Sequence, residues 1–177
     1  LSEKLLSAGY SVTSFDNFLY CNNLCTLNHI HHPKYRFIYG DIVKRNEIKP
    51  LLTNVDVVVL LASLVGDPIT RKYPKDAALI NDVGSKNVID LCVEKNINRL
   101  IFVSTCSNYG LTEKNIIANE KFKLKPISLY AKSKVNTEKY IFSFKNKTGM
   151  MNGGASGSPS EPHPSYPPAP PHHFSSS

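Results

Sequence analysis

Apolar and polar positions follow two periods along most of the chain. In "LSEKLLSAG", Leu1, Leu5, Leu6 and Ala8 fall at helical spacing, and Gly9 is a natural helix end. "YSVTSF" reads as a strand running into Asp16, and "YRFIYGD" as a second strand closing at Gly40 and Asp41. "RNEIKPLL" predicts a short helix in which Pro50 is an awkward member. "VDVVVLLAS" is a continuous apolar run, the pattern of a parallel strand covered on both faces. Between Lys75 and Asn96 a helix is predicted, with Ala78, Val83, Val88, Leu91 and Cys92 on one stripe. "NRLIFVST" predicts another buried strand. From Ser128, a good N-cap, the spacing of Leu129, Ala131, Val135, Tyr140, Ile141 and Phe144 predicts a long helix.

Strands and helices therefore alternate, which implies βαβ units and a parallel sheet, an α/β fold. No internal repeat is visible. Open parallel sheets bind ligands at the carboxyl ends of their strands. The polar residues found there are Asp16 and Asn17, then Asp41, then Ala62 and Ser63, then Ser104 and Thr105.

Composition changes the picture at one end. The segment from Met151 to Ser177 is mostly Gly, Ser, Pro and His. So few large apolar side chains do not offset the entropy of ordering it. A folded domain over 1–148 and a disordered Pro/Ser/Gly-rich tail over 149–177 are expected. "SYPPAPP" within that tail also suits polyproline recognition by a partner.

The net charge is +7, but the lysines are scattered between apolar positions rather than gathered in a stripe. That reads as a solvated surface with mild attraction for anions such as nucleotides, not as a nucleic-acid site. No apolar run approaches twenty residues, so no transmembrane helix and no membrane partner are expected. No signal peptide is visible, and the chain does not begin with Met. Cys92 and Cys106 lie in apolar segments and read as buried thiols, which fits a reducing, cytoplasmic setting. "CNNLC", with Cys21 and Cys25, precedes His29, His31 and His32, but the spacing matches no common zinc frame. It reads as a surface loop, with no metal.

Several motifs occur in order: "DNF", "GDI", "VDVVVLLASLVGDP", "LINDVGSKNVIDLC", "FVSTCSNYG" and "YAKSK". Together they resemble an extended short-chain dehydrogenase/reductase. More narrowly, they are similar to the NAD-dependent epimerase/dehydratase family of the UDP-glucose 4-epimerase type, over roughly residues 1–145. The resemblance implies a Rossmann-type doubly wound sheet, NAD as cofactor and a nucleotide-sugar substrate. It implies that Asp16 and Asn17 bind the adenosine ribose, where a carboxylate favours NAD over NADP. Asp41 with Ile42 would lie against adenine, and Ala62 and Ser63 would border the nicotinamide side. Asn81 would be the asparagine of the active-site helix. Thr105 matches the family's Ser or Thr, with Ser104 as a rival, and Tyr130 with Lys134 matches the YxxxK pair. Cys106 is expected to serve packing. The resemblance also implies a possible homodimer through the helix that bears Tyr130.

The spacing suits that chemistry. Residues four apart on a helix share a face, so Lys134 can bring its charge near the Tyr130 phenol or hold the nicotinamide ribose. Only about one free tyrosine in a thousand is ionised at neutral pH. Lowering the phenol pKa by ~3 units needs roughly 4 kcal/mol, a task for the ammonium together with the positive nicotinamide ring.

By the same resemblance the Rossmann-type sheet is incomplete. The first strand and its Gly-rich loop, which would sit between the "SVTSF" and "VDVVVLL" strands, are expected to be missing, and so is the later substrate domain. A fragment without turnover or NAD binding is therefore expected. The competing readings are a non-catalytic remnant that binds protein partners and a related reductase of a steroid or flavonoid ketone. "SLVGDP" and "STCSNYG" lean towards sugars.

Overall fold

The computed structural model describes residues 1–20, 28–111, 118–119 and 121–144. Helix α1 (Ser2–Ser7) ends at Gly9, whose φ of 87° suits a residue without a Cβ and lets the chain turn into strand β1 (Val12–Asp16). Strand β2 (Tyr35–Tyr39) pairs with β1 in parallel, Val12 opposite Tyr35 and Asp16 opposite Tyr39. Helix α2 (Arg45–Ile48) passes directly into a 3₁₀ turn (Lys49–Leu52). Pro50 sits in the first turn of that 3₁₀ segment, where its missing N–H costs nothing, so the awkward proline divides one predicted helix into two types.

Strand β3 (Val57–Leu60) pairs in parallel with β4 (Arg99–Phe102), Val57 opposite Arg99 and Leu60 opposite Phe102. Between them run α3 (Asp67–Lys72), α4 (Pro74–Ala77), a π-helical stretch (Ala78–Gly84) and α5 (Ser85–Glu94). Helix α6 (Leu129–Phe142) follows a 3₁₀ turn at Cys106–Tyr109. The Ser128 hydroxyl caps α6, accepting the Ala131 N–H at 3.1 Å.

The described residues thus hold two parallel ladders, β1–β2 and β3–β4, which belong to one core. Ile42, Ile48, Leu52, Leu60, Val88, Ile89, Leu91, Cys92 and Ile97 form it, with Phe15 of β1 and Val58 of β3 packed against it. Each fully buried leucine contributes about 2 kcal/mol. This is an α/β fold with parallel sheets. Residues 145–177, and with them the expected tail, lie outside the described residues, as do Cys21 and Cys25.

Three expectations need correction. The strands are not covered on both faces: Val57, Leu61, Ile101 and Val103 are between 43% and 51% exposed. Their neighbours Val58, Leu60 and Phe102 face the core beneath α5 and α6, and the other face is partly exposed among the described residues. The predicted stripe on the 75–96 helix is also displaced. The π stretch closes i→i+5 bonds and so inserts a residue into the repeat. Ala77, Asn81, Gly84 and Val88 turn inward, while Ala78 and Val83 face solvent. Finally, Cys92 is buried but Cys106 is exposed, because the chain leaves β4 before reaching it. Burial pushes the Cys92 thiol up to about 12.

On the outer side of the α5–α6 contact the Tyr140 hydroxyl donates to Asp90 Oδ1. Burial, then that bond and the Asp90 charge, push the phenol up to about 12. The folded chain therefore holds this proton more tightly than the unfolded chain does. Stability is expected to fall as pH rises from about 10 towards about 12. Denaturant melts of Tyr140→Phe should show a shallower alkaline decline than the parent, and an unchanged decline would refute the assignment.

No helix among the described residues is long and apolar enough to cross a membrane.

Candidate functional site

Parallel pairing in register brings the carboxyl ends of β1 and β2 to one edge, and those of β3 and β4 to one edge. At the first edge Asp16 Oδ1 accepts the Phe18 N–H at 2.7 Å, and Asn17 Oδ1 accepts that of Leu19 at 3.1 Å. Asn17 Nδ2 reaches across to Asp41 Oδ2 at 3.2 Å. Asp41 in turn caps its own turn, Oδ1 accepting the Val43 N–H at 2.9 Å. The structure therefore brings Asp16, Asn17 and Asp41 together. Ile42 is different: its side chain is buried in the core against Gly84.

At the second edge Asn81 governs the loop after β3. It is 3% exposed, and its Oδ1 accepts from Ser63 Oγ at 3.0 Å and from the Leu64 N–H at 2.7 Å. Its Nδ2 returns a bond to the Leu64 carbonyl at 3.0 Å. Such a brace requires the asparagine to face inward, which the π stretch accomplishes. Ser63 is positioned by it, and Ala62 packs against the core. Asn81 thus acts through the loop.

Past β4, Ser104 and Thr105 diverge. Ser104 Oγ accepts from Asn108 Nδ2 at 2.9 Å. Thr105 caps the 3₁₀ turn, its Oγ1 accepting the Ser107 N–H at 3.3 Å and, among the described residues, donating its own proton to no acceptor. Gly110 closes the turn at φ 71°, where a Cβ would collide with the Lys125 carbonyl oxygen.

Tyr130 and Lys134 lie one turn apart on α6 and face the same way. Lys134 is 5% exposed. Its Nζ donates to the Val103 carbonyl at 3.0 Å, just past the end of β4, and lies 5.7 Å from the Tyr130 ring centre and 4.7 Å from that of Phe102. An ammonium has three donors, so two remain without an acceptor among the described residues. Burial lowers the Lys134 pKa. The Tyr130 phenol is raised above its ordinary 10.0, by burial first and then by Tyr20 and Asp67. The ammonium at this range does not by itself overcome burial. Asp67→Asn should lower the Tyr130 pKa while leaving it above 10.0, because burial remains. Carbon NMR of labelled tyrosine rings reads this, and no movement would remove Asp67 from the site.

Periodicity gave no sign of Tyr20, Asp67 or Asn108. The Tyr20 hydroxyl accepts the Val65 N–H at 2.8 Å, which links the carboxyl end of β1 to the loop after β3. Asp67 opens α3, and α3 lies against α6. Among the described residues no group of three or more His, Cys, Asp and Glu could hold a metal ion. His29, His31 and His32 lie in the turns before β2.

The sequence model of the NAD dependent epimerase/dehydratase family matches residues 1–153. Human sterol-4-alpha-carboxylate 3-dehydrogenase, decarboxylating, is 30% identical over 141 residues, 78% of this chain and 35% of that enzyme. A UDP-glucose 4-epimerase of Thermotoga maritima, solved with UDP-glucose, is 26% identical with a TM-score of 0.75, over 84% of this chain and 48% of that one. The Thermus thermophilus UDP-glucose 4-epimerase solved with NAD shares the fold, with a TM-score of 0.75 at 22% identity, over 84% and 47% of the two chains. The chain thus spans about a third of the curated relative's length and about half of the solved structures.

Proposed function

Because the chain belongs to the NAD dependent epimerase/dehydratase family, we propose that it carries the reacting groups for NAD-dependent hydride transfer at a secondary alcohol carbon, with a nucleotide sugar as the substrate class. The observation that carries this reading is the common orientation of Tyr130 and Lys134, with Lys134 anchored at the end of β4.

The residues fit the dinucleotide at both of its ends. Asp16 offers a carboxylate at the end of β1, where it accepts ribose hydroxyls, with Asn17 and Asp41 beside it. Lys134 keeps two N–H groups for the second ribose. Bound NAD⁺ would supply the hydride acceptor and a positive charge close to the phenol. The Tyr130 phenolate takes the hydroxyl proton of the substrate, and the Thr105 hydroxyl hydrogen-bonds the same oxygen and holds it in line. Because the protein's own groups leave the phenol raised, proton transfer waits on the ligand's charge.

A second reading has its own support. The human relative is named for oxidation at a sterol 3-position. The same three side chains would serve a sterol hydroxyl equally well, since the chemistry at the carbinol carbon is the same. A version extended to the length of its relatives, given NAD⁺ with either UDP-glucose or a 3-hydroxysterol, should convert one of them: the sugar to an epimerised or dehydrated product with no net NADH, because the hydride returns to the sugar, or the sterol to its ketone with NADH formed mole for mole. No product from either removes the substrate assignment.

The isolated chain is a different case. Its two ladders are not joined among the described residues, and the Tyr20–Val65 link crosses between the two edges. Calorimetry of the 177-residue chain with NAD⁺ should show no stoichiometric binding, and stoichiometric heat would refute this.

A further inference from the structure

Asn108 is 2% exposed, yet it is polar, and both Nδ2 protons are committed. One goes to Ser104 Oγ at 2.9 Å and the other to Glu138 Oε1 at 3.0 Å. Its backbone carbonyl accepts the Lys125 N–H at 2.9 Å, and its own N–H returns to the Thr105 carbonyl at 3.3 Å. Its Oδ1 is buried with no partner among the described residues. An apolar side chain of similar volume would fill this place without stranding a lone pair, so the amide serves geometry rather than stability.

The helical spacing shows which geometry. Tyr130, Lys134 and Glu138 recur every four residues and so share one face of α6. Lys134 grips the Val103 carbonyl and Glu138 grips Asn108. The stretch between those two grips contains Ser104 and Thr105. We propose that buried Asn108 and half-buried Glu138 form a clamp that positions the Thr105 turn against the Tyr130 helix. Both are positioning residues, since neither reaches the reacting atoms except through Thr105 and α6. The proposal rests on the reading of Thr105 and Tyr130 as partners in one proton transfer.

The clamp has a distinctive donor–acceptor logic. Asn108→Asp sets carboxylate against carboxylate and breaks it. Adding Glu138→Gln restores a donor on the other side and remakes the bond in reverse. Glu138→Gln alone keeps an acceptor for Asn108 and should be tolerated.

Amide hydrogen exchange on the full chain reads this directly. In Asn108→Asp, exchange over Ser104–Gly110 should quicken about tenfold, the scale of one hydrogen bond to a charged group. Exchange in α5 should not change, and the double variant should return to the parent rate. If Asn108→Asp leaves the turn protected, if exchange rises everywhere alike, or if the double variant does not recover, the clamp is wrong. In an active extended version, Asn108→Asp should lower kcat about tenfold with KM for NAD⁺ unchanged, and the double variant should recover it. A loosened turn with unchanged kcat would overturn the positioning role. Should Tyr130→Phe prove as active as the parent while the exchange pattern holds, the hydride-transfer reading fails and the clamp survives as a contact.

Discussion

In an active extended version, Tyr130→Phe should lower kcat by about 10²–10⁴-fold, the range of a lost general acid–base group. The substitution removes one oxygen and leaves the ring, which is half-buried at the start of α6. Packing against Lys134 at 5.7 Å persists, and KM should barely move. The burial that raises the phenol pKa also makes its ionisation dependent on ligand charge. The pH profile should therefore differ between free enzyme and cofactor complex, with the basic limb at lower pH in the complex. Steady-state kinetics across pH reads both. Parent-like kcat in Tyr130→Phe would end the mechanism.

Lys134→Met should separate activity from stability. Lys134 is 5% exposed, and its lowered pKa records the cost of holding an ammonium there. Methionine fills a similar volume without that cost, but leaves the Val103 carbonyl without its 3.0 Å donor. These effects oppose each other, so unfolding free energy should change by no more than about 1 kcal/mol. On the proposed reading activity has no such compensation, because the charge near the phenol and the donors assigned to the ribose would vanish together. A loss of about a hundredfold or more in kcat/KM is expected. Equal damage to melting and to rate would make Lys134 a scaffold residue instead. In the parent, burial lowers the pH at which Lys134 loses its charge, so activity should decline on the alkaline side before the ordinary lysine range near 10.5.

Much of the candidate site's arrangement was legible because it is local. Asp16 and Asp41 follow apolar runs, and a residue after a parallel strand lies at the ligand edge whatever its neighbours are. The four-residue interval from Tyr130 to Lys134 needs only a helix, and Ser128 announces where it begins. The Asn108–Glu138 bond was not legible. It joins residues thirty apart, and nothing near either one specifies the other. The same holds for Tyr20 and Val65.

The amino-acid order by itself determined the alternation of strands and helices, the edge where polar groups gather and the pairing of phenol with ammonium. Periodicity and spacing operate within a few residues, so no distant contact is needed to read them. Tertiary structure alone decided that Asn81 turns inward through a π stretch, that one face of β3 and β4 is partly exposed among the described residues and that burial raises the Tyr130 phenol. Each of these depends on which surfaces exclude water, and water exclusion is a property of the packed whole.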